Sequence, residues 1–227
     1  MRSLKPSPAR LKHVQQIFKR IQIQFPDATT ALTHKNPFEL LIATILSAQC
    51  TDKRVNLVTP ALFREGPTPA AMRGLGEDRI QHFVKSINFF RNKAHNIFLT
   101  CETLVRDFNS VVPSTLDELV QLPGVGRKTA NVVLGTIFGT PGMVVDTHVL
   151  RVSNRLGLVK NLVPEKVEKY LEPLLPKSQW VELAHLFILH GRKTCSARAP
   201  ACARCDLVDL CPSAFKSASL WKDRLQT

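Results

Sequence analysis

The stretch LPGVGRKTANVVLGTIFGTPGMVVDTH, residues 122–148, decides the fold. A helix must end before Pro123, because the residue that precedes a proline disfavours the α region. Gly124 and Gly126 then allow a tight turn without Cβ clashes. Since the next helix is expected to begin at about Arg127, the stretch predicts a helix–hairpin–helix.

The hairpin Gly124-Val125-Gly126 leads into the positive end of the second helix. The first N–H groups of a helix have no partner within it and carry partial positive charge. Two glycines leave those groups open to an anion. A plain turn between helices also often contains glycine, but Arg127 and Lys128 follow directly in a basic chain. The combination favours a phosphate seat.

The charge of the whole chain also favours a polyanionic partner. Its 227 residues hold 31 Lys and Arg against 18 Asp and Glu, a net charge of +13. Residues 1–20 alone carry six basic residues and no acidic one. A basic protein with a solvated surface is the plain alternative, but the local excess is what a nucleic-acid-binding face requires.

No segment has the character of a membrane span or of a secretory signal. No apolar run approaches the roughly 20 residues that a spanning helix needs. The N-terminal residues have no apolar core of a signal peptide. A short basic helix is the simpler interpretation, with an amphipathic organelle-targeting segment as the alternative. We therefore expect no membrane association and a location in the cytoplasm, with the nucleoid in a prokaryote.

Nearly every segment has the apolar spacing of a helix, and no strand-like alternation stands out, so the fold class is predicted to be all-α. Pro60 is expected to kink or shorten its helix, and Gly191 is expected to end the last one. The expected helices cover residues 36–49, 51–63, 68–75, 77–87, 91–108, 115–121, 127–138, 147–156, 164–174 and 178–190.

The sequence GTPG at 139–142 is the best internal boundary. We expect residues 30–140 to form a helical domain that carries the hairpin. Residues 1–29 are expected to pack with 141–215 as a second domain, with a DNA-binding cleft between the two. Residues 216–227 are expected to be a flexible tail.

Four of the six cysteines fall within seventeen residues, in the pattern C-x6-C-x2-C-x5-C. In a chain without a secretory signal, such a group predicts a metal or cluster site before disulfides. Four thiolates suit either tetrahedral zinc or a [4Fe–4S] cluster, and general spacing rules do not separate the two. The four candidate ligands are Cys195, Cys202, Cys205 and Cys211.

Lys128 and Asp146 are the candidates for catalysis, eighteen residues apart. A lysine is usually a surface charge, and an aspartate before a helix is usually an N-cap. A neutral lysine is also a nucleophile that forms Schiff bases, and burial, cations and a helix N-terminus favour the neutral amine. A capped carboxylate stays ionised and oriented. One helix and a tight loop are long enough to return Asp146 towards the hairpin.

Three motifs and the four cysteines together resemble the endonuclease III branch of the helix–hairpin–helix DNA glycosylase superfamily. The motifs are LPGVGRKTANVV at 122–133, VVDTH at 144–148 and LLIATILSAQCTD at 40–52. The resemblance extends over about residues 10–212. It implies a base excision repair enzyme that removes oxidised pyrimidines such as thymine glycol from damaged double-stranded DNA, and cleaves the strand by β-elimination.

The same resemblance assigns roles to the candidate residues. Lys128 would be the Schiff-base nucleophile and Asp146 the essential carboxylate, and the four cysteines would hold a [4Fe–4S] cluster. We expect a monomer. The rival functions are a mismatch- or adenine-removing glycosylase of the same fold, an abasic-site lyase without glycosylase activity, a non-catalytic DNA-binding protein and a zinc-binding regulator.

The nucleotide must leave the duplex before a bond at its C1′ is reached. Gln49 resembles the family residue that fills the resulting gap, although a polar helix end is its plainer interpretation. SINFFRNKA at 86–94 resembles a second intercalating loop with Phe89 as the wedge. Asn88 stands where glycine is frequent and Phe90 where tyrosine is, which affects loop shape and opposite-base preference. The alternative is that Phe89 and Phe90 are core residues, in which case both side chains would be buried.

Two further residues are weaker candidates. Asp52 resembles a pocket residue of the family, although it equally suits the charged start of a helix. His148 follows the catalytic aspartate and is expected to contact phosphate or to line the pocket.

Overall fold

The computed structural model describes residues 6–216, and the regular elements in that range are helices without strands, so the all-α prediction is confirmed. The predicted flexible tail lies, apart from Lys216, outside the described residues. In the described range the α-helices are α1 (Pro8–Gln24), α2 (Pro37–Ser47), α3 (Asp52–Glu65), α4 (Pro69–Val84), α5 (Phe90–Asp107), α6 (Leu116–Leu119), α7 (Arg127–Ile137), α8 (Thr147–Arg155), α9 (Pro164–Leu171) and α10 (Trp180–Lys193). Short 3-10 turns lie at Glu172–Leu174, Lys177–Gln179, Cys202–Arg204 and Val208–Leu210.

Contacts between Cα atoms divide the chain into two compact units, each with its own apolar core. Thr30–Thr140 form one unit, called here the hairpin unit. Residues 6–29 and 141–216 form the other, called here the cysteine unit.

Helix α2 is the centre of the hairpin unit. The Asn36 side chain accepts a hydrogen bond from the Glu39 N–H at 2.9 Å, and Pro37 takes the first helical position. Every residue from Phe38 to Leu46 is buried. A helix that is buried on all sides belongs in a core, and α3, α5 and α7 pack around this one.

Two expectations about breaks in the hairpin unit have different outcomes. Gly76 has φ 76° and divides α4 into two segments, at the place where the sequence predicts the end of one helix and the start of the next. Pro60 does not shorten its helix, because α3 continues to Glu65. The prediction of a shorter helix is therefore wrong.

The core of the cysteine unit is built from α1, α8, α9 and α10. The expectation that Gly191 ends the last helix is wrong, since α10 continues to Lys193. Gly191 serves close packing instead: a Cβ there would lie 3.0 Å from Nδ1 of His148 and 3.1 Å from Nη2 of Arg151. In the part of the chain that the structure describes, no helix is both long and apolar enough to cross a membrane.

Candidate active site

The hairpin has the conformation that the sequence predicts. Gly124 has φ +75°, and α7 begins at Arg127. Leu122 and Val125 are buried, and the Val125 N–H donates to the Leu122 carbonyl at 3.0 Å. Val125 therefore anchors the turn, and its N–H is not free for a phosphate.

Helix α5 supports the hairpin from behind. The Thr100 hydroxyl donates to the Pro123 carbonyl at 2.6 Å. A Cβ on Gly124 would lie 2.8 Å from Cβ of Asn96. Because of this close approach and its positive φ, only glycine fits at 124 without strain.

The start of α7 is open. Its N-cap residue, Gly126, offers no side-chain acceptor, and the first hydrogen bond of the helix runs from the Ala130 N–H to the Gly126 carbonyl at 3.0 Å. In the described structure, the N–H groups of residues 127–129 thus have no acceptor within the chain. Gly124, Gly126, Arg127 and Lys128 are exposed beside them. An uncapped helix start of this kind can bind an anion, and Lys128 lies one residue inside the helix.

Asp146 is the N-cap of α8 in the cysteine unit. Its Oδ1 accepts hydrogen bonds from the N–H groups of His148 and Val149, both at 2.8 Å. Within residues 6–216, Oδ2 accepts no hydrogen bond. The carboxylate is therefore held in one orientation by one oxygen, while the other remains available.

Behind Asp146 lies a buried guanidinium that the sequence analysis did not single out. Arg151 is only 7% exposed. It donates to Nδ1 of His148 at 3.0 Å and to the carbonyls of Gly191 at 2.9 Å and Cys195 at 3.2 Å. These acceptors compensate the burial of the charge. No pattern in the sequence marks this arginine apart from its place one helical turn after the VVDTH motif.

His148 is half-buried, and its pKa is lowered from the ordinary value. Burial is the main cause that lowers the pKa of His148, and the cations of Arg151 and Arg192 add to this effect against the carboxylate of Asp146. Since Arg151 donates to Nδ1, the ring proton is on Nε2. A phosphate contact of His148 would therefore be an N–H hydrogen bond and not an ion pair.

His185 in α10 is a second histidine near this carboxylate, and the sequence analysis missed it. Burial lowers its pKa, and the charge of Asp146 opposes that shift. Its place inside an apolar helix is the only signal in the sequence, and a core histidine has the same signal.

Gln49 and the wedge loop meet in the hairpin unit. Gln49 follows α2 with φ 54°, and Phe89 precedes α5 with φ 58°. The Asn88 side-chain amide donates to the Gln49 carbonyl at 2.8 Å. Phe89 is 66% exposed and is not a core residue, whereas Phe90 packs on the core. Asp52 is the first residue of α3, behind the N-cap Thr51.

The four cysteines of the C-terminal pattern line one pocket of the cysteine unit, together with Arg155 and His190. None of the four forms a disulfide within the described residues. Arg155 is buried, lies 3.3 Å from Sγ of Cys195 through Nη1, and donates to the carbonyls of Ser196 and Ala197. Burial lowers the pKa of His190 to about 4. In residues 6–216, no three His, Cys, Asp or Glu side chains converge on the position of a single metal ion.

Comparison with known proteins decides the family. Residues 42–177 match the family described as HhH-GPD superfamily base excision DNA repair protein. The chain belongs to this HhH-GPD superfamily. A relative within it, endonuclease III of Synechocystis sp., is 46% identical over 96% of this chain and 98% of its own length.

Two solved structures of the HhH-GPD fold have the same architecture. One is a trapped endonuclease III–DNA covalent intermediate in an estranged-adenine complex, with TM-score 0.85 and 44% identity over 90% of this chain and 96% of that one. The other is a non-covalent endonuclease III–DNA complex, with TM-score 0.85 and 43% identity over 96% and 99%. Its place in the HhH-GPD superfamily, among endonuclease III relatives, makes the chain a DNA glycosylase with AP lyase activity.

Proposed function

We propose that this chain removes oxidised pyrimidines of the thymine glycol type from double-stranded DNA and cleaves the strand through a Schiff base on Lys128. The observation that carries the proposal is the exposed Lys128 directly behind an uncapped glycine hairpin. A phosphate bound at that hairpin brings the backbone of a nucleotide beside the amine. We expect the enzyme to act as a monomer at the chromosomal DNA, in the cytoplasm if the source is a prokaryote.

The open start of α7 supports the binding of the DNA backbone. The N–H groups of residues 127–129 point towards the N-terminal end of the helix, where its dipole is positive. Arg127 adds a charge that a phosphate pairs with directly. None of these contacts reads a base, so they position the strand without selecting its sequence.

The fixed carboxylate of Asp146 supports the glycosylase step. As the bond between C1′ and the base breaks, positive charge develops on the sugar. A carboxylate that is already oriented stabilises this charge without reorganisation. Both bonds from the start of α8 go to Oδ1, which leaves Oδ2 for the sugar or for a proton in transfer.

Lys128 supplies the nucleophile. The neutral amine forms a bond to C1′ while the base leaves with a proton, and ring opening then gives an imine between Nζ and C1′. Loss of a proton from C2′ expels the 3′ phosphate, which is the β-elimination. A related endonuclease III has been trapped as a covalent intermediate with DNA, which supports this route. The proposal requires Lys128 and Asp146 to reach the same nucleotide.

Gln49 and Phe89 suit the task of filling the duplex after the nucleotide has left it. Both side chains are exposed, and the hydrogen bond from Asn88 brings the two loops together. An exposed aromatic ring stacks between bases at little conformational cost. Asp52 and His148 are proposed as weaker contacts to the damaged nucleotide or its phosphates.

The pocket of the four thiols fits a [4Fe–4S] cluster. Cys195, Cys202, Cys205 and Cys211 line one pocket, and Arg155 provides positive charge beside it for an anionic cluster. The four cysteines would hold the cluster through their thiolates, and the bound cluster would supply a rigid cross-link between these segments. The proposed reaction uses no redox step. A [4Fe–4S] cluster absorbs visible light and contains iron, whereas a zinc site does neither. An absorption spectrum of the purified protein and an iron analysis therefore separate the two.

The experiment is a single-turnover assay of base release from a duplex with one thymine glycol, with wild type and Asp146→Asn. Asparagine keeps an acceptor for the start of α8 but removes the charge. We expect unchanged folding and a loss of about 100-fold or more in release, typical of a lost electrostatic contact in a transition state. Release by Asp146→Asn at the wild-type rate would contradict the role of the carboxylate. No base release by wild type, together with cleavage of a duplex that has a preformed abasic site, would leave only a lyase.

A further inference from the structure

Two exposed residues of the hairpin unit stand on strained backbone. Gln49 has φ 54° and Phe89 has φ 58°, in the left-handed region that L side chains rarely adopt. Each lies next to a helix end, Gln49 after α2 and Phe89 before α5. Residues in this region persist where the surrounding structure holds them, and such positions cluster at functional sites.

Two side chains hold the pair. The Asn88 amide donates to the Gln49 carbonyl at 2.8 Å. From the first turn of α5, the Lys93 ammonium donates to the Leu46 carbonyl at 2.8 Å and to the Ala48 carbonyl at 2.5 Å. Lys93 is itself 7% exposed, and these bonds satisfy carbonyls at the end of α2. Asn88 and Lys93, on either side of Phe89, thus bind three carbonyl groups of the segment 46–49.

Helix α5 extends this connection to the hairpin. One turn after Lys93, Asn96 packs on Gly124, and one turn further Thr100 bonds the Pro123 carbonyl. A single helix therefore fixes the gap-filling residues relative to the phosphate seat. The contacts of Lys93 and Thr100 are buried or half-buried, whereas the contact of Asn88 is exposed and is not needed for the core.

We propose that Asn88 is a positioning residue that ties the wedge loop to Gln49, so that Phe89 and Gln49 enter the duplex as one preorganised unit. The proposal rests on the proposed function. Glycine, the frequent residue at this place in the resemblance described above, has no side chain to make this bond. An unbound chain that already holds both residues in the inserting conformation avoids ordering them when DNA binds.

The test compares substrates that have a gap to fill with one that has none. Wild type, Asn88→Ala and Asn88→Asp are assayed for single-turnover cleavage at a preformed abasic site, in a duplex and in the same oligonucleotide as a single strand. Asp has the shape of Asn but offers a carboxylate that cannot donate to the Gln49 carbonyl. The control is Gln81→Ala, which removes the amide hydrogen bond between Gln81 and Glu77 on α4.

We expect both Asn88 variants to cleave the duplex about fivefold more slowly than wild type, the factor that one ordinary hydrogen bond supports. Their rate on the single strand and their melting temperature should equal those of the control. An equal loss on both substrates would show a general structural role and overturn the proposal, as would an unchanged rate on the duplex.

A second measurement separates the tether from the chemistry. A 2-aminopurine opposite a stable abasic analogue changes fluorescence when side chains enter the gap, without any bond being cleaved. We expect wild type and Gln81→Ala to give the full change and Asn88→Asp a smaller one at saturating protein. If wild type cleaves no substrate, the proposed function fails. The fluorescence change then tests the role of Asn88 by itself, because it needs no cleavage. Equal changes in all three proteins would overturn that role.

Discussion

Lys128 and Asp146 both stand at the start of a helix, and each uses that place differently. Asp146 closes the start of α8 with its own side chain, through two hydrogen bonds of 2.8 Å. The start of α7 has no side-chain cap, and its first N–H groups have no acceptor among the described residues. The motif predicts both positions, because N-cap and glycine preferences are local properties of the sequence. Arg151 is on the helix that Asp146 caps, but only tertiary packing buries it against Gly191 and Cys195. Only packing brings His185 near Asp146.

The two hairpin glycines should respond differently to alanine. At Gly124 the positive φ and the contact with Asn96 oppose a Cβ, so Gly124→Ala should lose about 1–2 kcal/mol of the free energy of unfolding. At Gly126 a Cβ meets nothing within 4 Å. Gly126→Ala should keep wild-type stability and weaken DNA binding, because the new methyl group lies where the phosphate would sit. Thermal denaturation and DNA titration check both. Equal stability of the two variants would contradict this account of the hairpin.

At the scale of the helices, most starts follow from the sequence and the errors have physical causes. Four of the expected helices begin at Asn36, Thr51, Thr68 and Thr115, and each of these residues is the N-cap of the observed helix. The sequence predicts a helix end at Gly191, because glycine often follows the last turn of a helix. Glycine suits position 191 because His148 and Arg151 approach its backbone closely. No local sequence pattern contains that information.

Helices α8 and α10 should make the protein sensitive to acid. Burial lowers the pKa values of His148 and His185 from the ordinary 6.5, so the folded chain favours the neutral rings. Their contribution to stability is present above pH 6.5 and is lost as the pH falls through the lowered values. We expect the melting temperature to fall from pH 7 to pH 5, and to fall less in His185→Gln. The matched control is His82→Gln, at an exposed residue of α4. An identical acid dependence in His185→Gln and wild type would contradict this interpretation.

At the scale of the molecule, the net charge and the spacing of the cysteines can be read from the sequence, while the contacts between distant segments cannot. The net charge of +13 and the cysteine pattern are visible in the sequence. The bond from Asn88 to Gln49 joins residues 39 positions apart. From the sequence, Asn88 indicates only that the loop departs from the usual family pattern. The identity of a residue does not reveal which acceptor its side chain reaches.

The basic charge should make DNA binding strongly dependent on salt. Each phosphate contact releases counterions, so raising the salt from about 50 to 200 mM should weaken binding by at least tenfold. Arg127→Ala should reduce the slope of log affinity against log salt by about one. Arg106→Ala is the control, since that guanidinium is paired with Asp107 at 2.6 Å. An unchanged slope in Arg127→Ala would place the phosphate elsewhere than at the hairpin.

The central claim is that Lys128 forms the covalent bond to the sugar, and borohydride reduction tests it most directly. Wild type, Lys128→Ala and Lys35→Ala are incubated with an abasic duplex and borohydride, and the adduct is located by proteolysis and mass spectrometry. Lys35 is an exposed lysine of the same unit and serves as the control. The account predicts an adduct on Lys128 in wild type and Lys35→Ala, and none in Lys128→Ala. An adduct that persists in Lys128→Ala, or wild type that binds the duplex but gives no adduct, would contradict it.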